Sequence, residues 1–154
     1  MRKGDNMILV SSCLCGEKCK YSGGDNYHEK VVAYCEGKQV IKVCPEVLGG
    51  LKTPRPPAEI VGGTAKEVFE GKARVMDCKG NDVTDAFIKG AHKVLSIAKE
   101  YQVTEAILKA NSPSCGKGMV YDGQFSGKRI EGNGLTAQCL LEAGIKVRTE
   151  NEIE

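Results

Sequence analysis

The chain is expected to fold as a single α/β domain over residues 1–154, with a mainly parallel sheet and helices on both faces. Three observations lead there. Its 154 residues match one domain of roughly 150 residues. Short apolar runs of strand length alternate with helical patterns, the order that βαβ units produce. Hydrophobic residues make up 41% and charged residues 27%, ordinary values for a globular chain.

Residues 1–6 read as a disordered extension, because Met7 opens the first structured run. Met7–Ser11 (MILVS) reads as a short buried strand, followed by the glycine-bearing loop CLCGEKCKYSGG. A helix is expected over Tyr27–Glu36, with Asp25 or Asn26 as its cap and Gly37 as its stop. Gln39–Val43 (QVIKV) is the second strand and ends at Cys44. The stretch PEVLGGLKTPRPPAEIVGG is expected to hold no regular structure, since its prolines and glycines interrupt both ladder and helix. Thr64–Glu70 reads as a short helix and Ala73–Asp77 as an extended piece.

The clearest helical pattern runs from Thr84 to Tyr101. Phe87, Ile88, Ala91, Val94, Leu95 and Ala98 recur there at helical spacing and make one apolar face. Ala106–Leu108 is a third parallel strand, leading into the loop NSPSCGKG. Met119–Phe125 reads as a hairpin around Asp122-Gly123. A helix over Leu135–Ala143 is stopped by Gly144, and Ile145–Arg148 is the last strand.

The formal charge of +2 argues against an obligate nucleic-acid or membrane-surface partner. The apolar run Met7–Val10 is too short for a secretory signal or a membrane span. A cytoplasmic, reducing compartment is therefore expected, where disulfides are disfavoured.

Eight cysteines in such a compartment point to metal, cluster or thiol chemistry. Cys13 lies just past the first strand, Cys44 at the end of the second, and Cys115 in the loop after the third. Carboxyl ends of parallel strands line one edge of a sheet, where ligands bind. These three thiols are thus placed to converge. Cys35, Cys78 and Cys139 read as buried or incidental thiols lying elsewhere. Cys15 and Cys19 share the first loop with Cys13, but no second zinc-knuckle half and no CxxC accompanies them. His28 and His92 read as surface or packing residues. GNGLTA (Gly132–Ala137) reads as a helix N-terminus whose free amides face a polar ligand.

The segments SSCLCGEKCKYSGG, VCPEVLGGLKTPRPPAEI, GNDVTDAFIKGA, LKANSPSCG and VYDGQFSG, in this order, resemble the thiouracil desulfidases, a family once classed as a domain of unknown function. The resemblance spans Met7 to about Val147. It implies an iron–sulfur enzyme that removes sulfur from a thiolated nucleobase such as 2-thiouracil, giving uracil and hydrogen sulfide without net redox change. It implies further that Cys13, Cys44 and Cys115 hold a 4Fe-4S cluster with one iron not bound by protein. Glu46, next to the ligand cysteine in the CPE motif, corresponds to the family's acid/base carboxylate, and Ser112 to its active-site serine. Longer relatives with an added domain act on thiolated tRNA, so a free small-molecule base is the substrate expected here. Glu59 is the next carboxylate candidate. Two alternatives use the same thiols: a non-catalytic iron–sulfur electron-transfer or scaffold protein with all irons protein-ligated, and a zinc-dependent hydrolase.

Overall fold

The computed structural model describes residues 7–153. The extension expected over residues 1–6 lies outside the described residues. Four parallel strands form the central sheet: β1 (Met7–Ser11), β2 (Gln39–Val43), β5 (Glu105–Leu108) and β8 (Lys146–Thr149), in the order β2-β1-β5-β8. Register pairs Ser11 with Val43, Val10 with Ile107, and Leu108 with Thr149. The carboxyl ends of β1, β2 and β5 therefore finish side by side.

Side chains on the central strands alternate between two buried faces, the pattern a doubly covered parallel sheet requires. Met7, Leu9, Ala106 and Leu108 face α4 (Thr84–Glu100) and α5 (Leu135–Glu142), packing with Val94, Ala98 and Leu140. Ile8, Val10 and Ile107 face the other way, onto Leu14 and onto Val31 of α1 (Glu29–Cys35). The fold is thus the expected single α/β domain with helices on both faces. No helix among the described residues is long and apolar enough to cross a membrane.

A second layer is built at the edge of α4. Strands β3 (Ala58–Val61) and β4 (Arg74–Asp77) pair antiparallel. With α3 (Ala65–Phe69) they bury Ile60, Val68 and Val75 against Phe87, Ala91 and Leu135. Thr64 and Glu67 start α3 with a reciprocal capping box, which satisfies two amides at once.

Several expectations need correction. The proline-rich stretch does contain regular structure: α2 (Pro45–Leu48) and β3 lie within it. Proline is accepted at the first helical position because its missing N–H has no partner there anyway. The segment Ala58–Val61 follows the last proline and is free to pair. The first helix starts at Glu29 rather than Tyr27, because Asp25 caps a local turn through the Tyr27 amide at 2.8 Å instead of capping the helix. The hairpin is also longer than expected: β6 (Met119–Tyr121) pairs with β7 (Arg129–Glu131), leaving a broad turn over 122–128.

Candidate active site

One cleft of about 620 Å³ opens at the carboxyl ends of β1, β2 and β5, and its lining includes Cys13, Cys44, Glu46, Ser112 and Cys115. Topology brings these five together from three separate stretches. Cys13 sits in a 3-10 turn directly after β1, and its sulfur accepts from the Asn26 side-chain Nδ2 at 3.4 Å. Cys44 is the residue before α2. Cys115 is buried in the loop after β5, where Ser11 Oγ donates to its sulfur at 3.4 Å.

The short helix α2 carries Glu46 and is fixed by close packing. A Cβ on Gly49 would run into the Ala86 carbonyl, and one on Gly90 into the Pro45 carbonyl. Only glycine at both positions lets α2 lie this close to α4, and that approach sets where Cys44 and Glu46 point. Arg55, which the sequence reading passed over, completes the arrangement. Its buried guanidinium donates from Nη2 to Glu46 Oε2 at 3.0 Å and to the Cys19 carbonyl at 2.9 Å. A single basic residue between prolines was the only signal for it.

Ser112 has both a structural and an exposed aspect. Its Oγ accepts from the Ser114 and Cys115 amides, each at 3.0 Å. A hydroxyl has two lone pairs and one proton, so the proton is what Ser112 has left to offer the cleft. Glu59 is buried and also lines the cleft, but its Oε1 accepts from the Gly123 amide at 2.9 Å and the Phe125 amide at 3.2 Å. One of its two oxygens is thus directed to the 122–128 turn.

The amides of GNGLTA do not face a ligand. Gly134 N donates to Gly116 O, Leu135 N to Pro113 O, and Thr136 N to Ser114 O, at 2.7–2.8 Å. The N-terminus of α5 is consumed in holding the Cys115 loop. Among the other thiols, Cys15 and Cys35 pack on the α1 face of the sheet, and Cys139 sits beside the second layer. Cys78 departs from expectation, since it is exposed and lines the same cleft. Cys19 lines it too. His92 stacks on Phe69 with ring centroids 5.5 Å apart, a packing role as expected.

Electrostatics separate the thiols. Cys44 is pulled down to about 7, first by the hydrogen bond from the Cys19 thiol, against the cost of burial, and further by the Val47 amide. Cys13 is also lowered, by Cys19 above all and by Asn26. Cys19 is driven up in turn, because its proton serves both neighbours. Burial pushes the Cys115 thiol up. The site therefore offers two activated sulfurs and a third shielded from water, with polar donors aimed at them. Such a thiol-rich, partly shielded donor set suits an iron–sulfur cluster. Among the described residues no three His, Cys, Asp or Glu side chains are arranged to hold a single metal ion.

The family model for 2-thiouracil desulfurase matches residues 8–152 of the chain. The chain is 50% identical over 147 residues to the uncharacterized protein YbbK of Bacillus subtilis (strain 168), covering 96% of this chain and 97% of that protein. Its fold matches the solved 4Fe-4S-dependent thiouracil desulfidase TudS with a TM-score of 0.83 at 36% identity, over 99% of this chain and 93% of that one.

Proposed function

The chain belongs to the 2-thiouracil desulfurase family, and from that premise we propose that it removes sulfur from a thiolated nucleobase such as 2-thiouracil, releasing uracil and hydrogen sulfide. The observation that carries this reading is the meeting of Cys13, Cys44, Cys115, Glu46 and Ser112 on one cleft. The three cysteines would hold a 4Fe-4S cluster, leaving one iron without a protein ligand. When bound, that cluster supplies a soft Lewis acid able to polarise a thiocarbonyl and take up its sulfur.

The chain's own residues then manage water and protons. Arg55 holds Glu46 by Oε2, which leaves Oε1 to face water in the cleft. Glu46 takes a proton from the attacking water and returns one to the departing sulfur, as a positioned general base and acid. Ser112 donates its hydroxyl proton to the substrate ring. Leu51, Val83 and Phe87 give the cleft an apolar wall against which a flat base can lie. Water replaces sulfur at carbon, so no net oxidation or reduction occurs.

Glu46→Gln tests the reading. The amide keeps the size and one acceptor but cannot take the proton. Thiouracil turnover should fall by about 10²–10⁴-fold, with iron and sulfide content unchanged. Wild-type turnover in this variant would make the carboxylate a bystander, and loss of the cluster would make it structural. One observation favours the alternative of a fully protein-ligated cluster in an electron-transfer protein: a fourth cysteine, Cys19, lines the same cleft, and its carbonyl accepts from the Cys44 thiol at 3.7 Å.

A further inference from the structure

The turn over 122–128 has features that packing alone does not explain. Phe125 is 39% exposed, yet it is a large apolar side chain on the cleft wall. Its φ of +54° lies in the left-handed region, which is unusual for a bulky non-glycine residue. Such strain persists only where surrounding contacts over-determine it, and it concentrates at functional sites. Here the contacts come from Glu59, a buried carboxylate reaching from β3. One of its oxygens receives the amides of both Gly123 and Phe125. A Cβ on Gly123 would stand 2.5 Å from the Ile60 carbonyl, so the turn is pressed onto the β3 backbone. Asp122 closes its base, donating its amide to Lys128 O at 3.0 Å and accepting from Gln124 N at 2.8 Å.

A buried charge, a strained backbone and an exposed aromatic ring are each unfavourable for stability. Together they fix one object: a phenyl ring presented to the cleft that also holds the cysteines and Glu46. We propose that Phe125 is the stacking platform for the flat heterocycle of the substrate, and that Glu59 is the positioning residue that presents it. This deepens the nucleobase reading above and rests on it. Aromatic faces receive any planar base by offset stacking, which accounts for an apolar ring where hydrogen-bond readout is left to Ser112. The ring touches the substrate away from the reacting carbon, so it acts on ground state and transition state alike. Uniform binding of that kind changes KM and leaves kcat in place.

The test uses the anaerobically prepared, cluster-loaded protein with two readouts, thiouracil kinetics and calorimetric binding of uracil. Phe125→Ala should raise KM and the uracil Kd by roughly 5- to 100-fold, with kcat within a few-fold of wild type. Phe125→Tyr, which keeps the π face, should restore most of that loss. Phe125→Leu, apolar but without a π face, should not. Glu59→Ala should copy Phe125→Ala in the split between KM and kcat, and Glu59→Gln, which retains the acceptor oxygen, should rescue it. A Phe125→Ala protein that binds uracil as tightly as wild type overturns the platform, as does full rescue by leucine. A Glu59→Ala protein that loses kcat at unchanged KM returns Glu59 to proton transfer and overturns its positioning role. Wild type that neither turns over thiouracil nor binds uracil overturns the nucleobase reading itself, and the platform with it.

Discussion

The loop after β5 holds Cys115 through its own backbone, whereas the segment around Cys19 takes its shortest bonds to the rest of the fold from one residue, Arg55. In the first, Ser112 and three successive amides at the start of α5 fasten residues 113–116 from two sides. In the second, the Cys19 carbonyl accepts from the Arg55 guanidinium and the Tyr21 carbonyl from the Arg55 amide at 2.7 Å. Of the other backbone bonds of 17–24, Glu17 N reaches back to Ser12 O at 3.3 Å, and the rest stay within the segment, such as Lys20 N to Gly24 O. Backbone fastening makes a fixed wall that tolerates little change. Side-chain fastening makes a wall that one substitution can release.

Four expected outcomes sharpen or break this contrast. The largest is at the thiols themselves. Serine in place of Cys13, Cys44 or Cys115 should abolish iron and sulfide binding, because a hydroxyl is a harder and less acidic ligand. Cys19→Ala should leave both near wild type in the same anaerobic assay. Cluster retention in all three serine variants would end the ligand assignment, and loss in Cys19→Ala would move it to four thiolates.

Next comes Arg55→Ala, which leaves the largely buried Glu46 carboxylate without its donor and takes from the Cys19 carbonyl its shorter bond, leaving the Cys44 thiol at 3.7 Å. Removing one partner of a largely buried pair should cost about 2–4 kcal/mol by urea unfolding. Trypsin should then cut at Lys18 or Lys20 sooner than in wild type. Unchanged cleavage there would show that Arg55 is not what secures the segment.

Gly134→Ala probes the fixed wall. The φ of −72° at Gly134 is open to any residue, so its requirement is steric: a Cβ would lie 2.5 Å from the Ser114 carbonyl. Overpacking of this kind should cost about 1–3 kcal/mol, with reduced cluster retention because the Cys115 loop must shift. Equal stability and equal iron content would mean that this loop yields more easily than its bonding implies.

The smallest effect is expected far from either loop, at the start of β5. Glu105 accepts from Tyr34 and from Arg148, each at 2.7 Å. Burial works against its charge, but these donors outweigh it and hold the carboxyl below its ordinary value. A depressed carboxylate contributes stability above its unfolded pKa of about 4.3 and loses it as pH falls through the folded value. Glu105→Gln should therefore cost about 1–2 kcal/mol at pH 7, with the gap to wild type closing towards pH 3. A gap independent of pH would assign the effect to shape instead of charge.

What the sequence disclosed and what it hid divide along physical lines. Short apolar runs and helical spacing reported β1, β2, α4, α5 and β8, because residues of that kind are the ones the core selects. The placement of Cys13, Cys44 and Cys115 followed from strand order, since parallel strands finish on one edge. Strand β3 was hidden because prolines precede it, and its partner β4 lies beyond α3 in the chain. The return strand Arg129–Glu131 is exposed throughout, so no apolar alternation marks it. The α5 amides were invisible for another reason: their partners are backbone carbonyls, which carry no trace in residue identity, and the same holds for the bond from Arg55 to the Cys19 carbonyl. Glu59 was legible as the next carboxylate candidate, but not the second use of that side chain: one of its oxygens receives two amides of a turn more than sixty residues away in sequence.

Each sulfur of the cysteine trio follows a different strand, and those strands are neighbours in the order β2-β1-β5. No short segment of the chain carries all three, so an unfolded chain has no nascent pocket to offer. The pairing of β1 with β5 joins residues from distant parts of the chain, and contacts of that kind form late and slowly. Any cofactor held by these thiols must therefore wait for a finished sheet, and its retention is a report on native structure. By mass action it also deepens the native well in proportion to how tightly it is held. Cofactor delivery in this architecture is a closing step of biogenesis, and the apoprotein's own stability is what keeps the receptacle open for it.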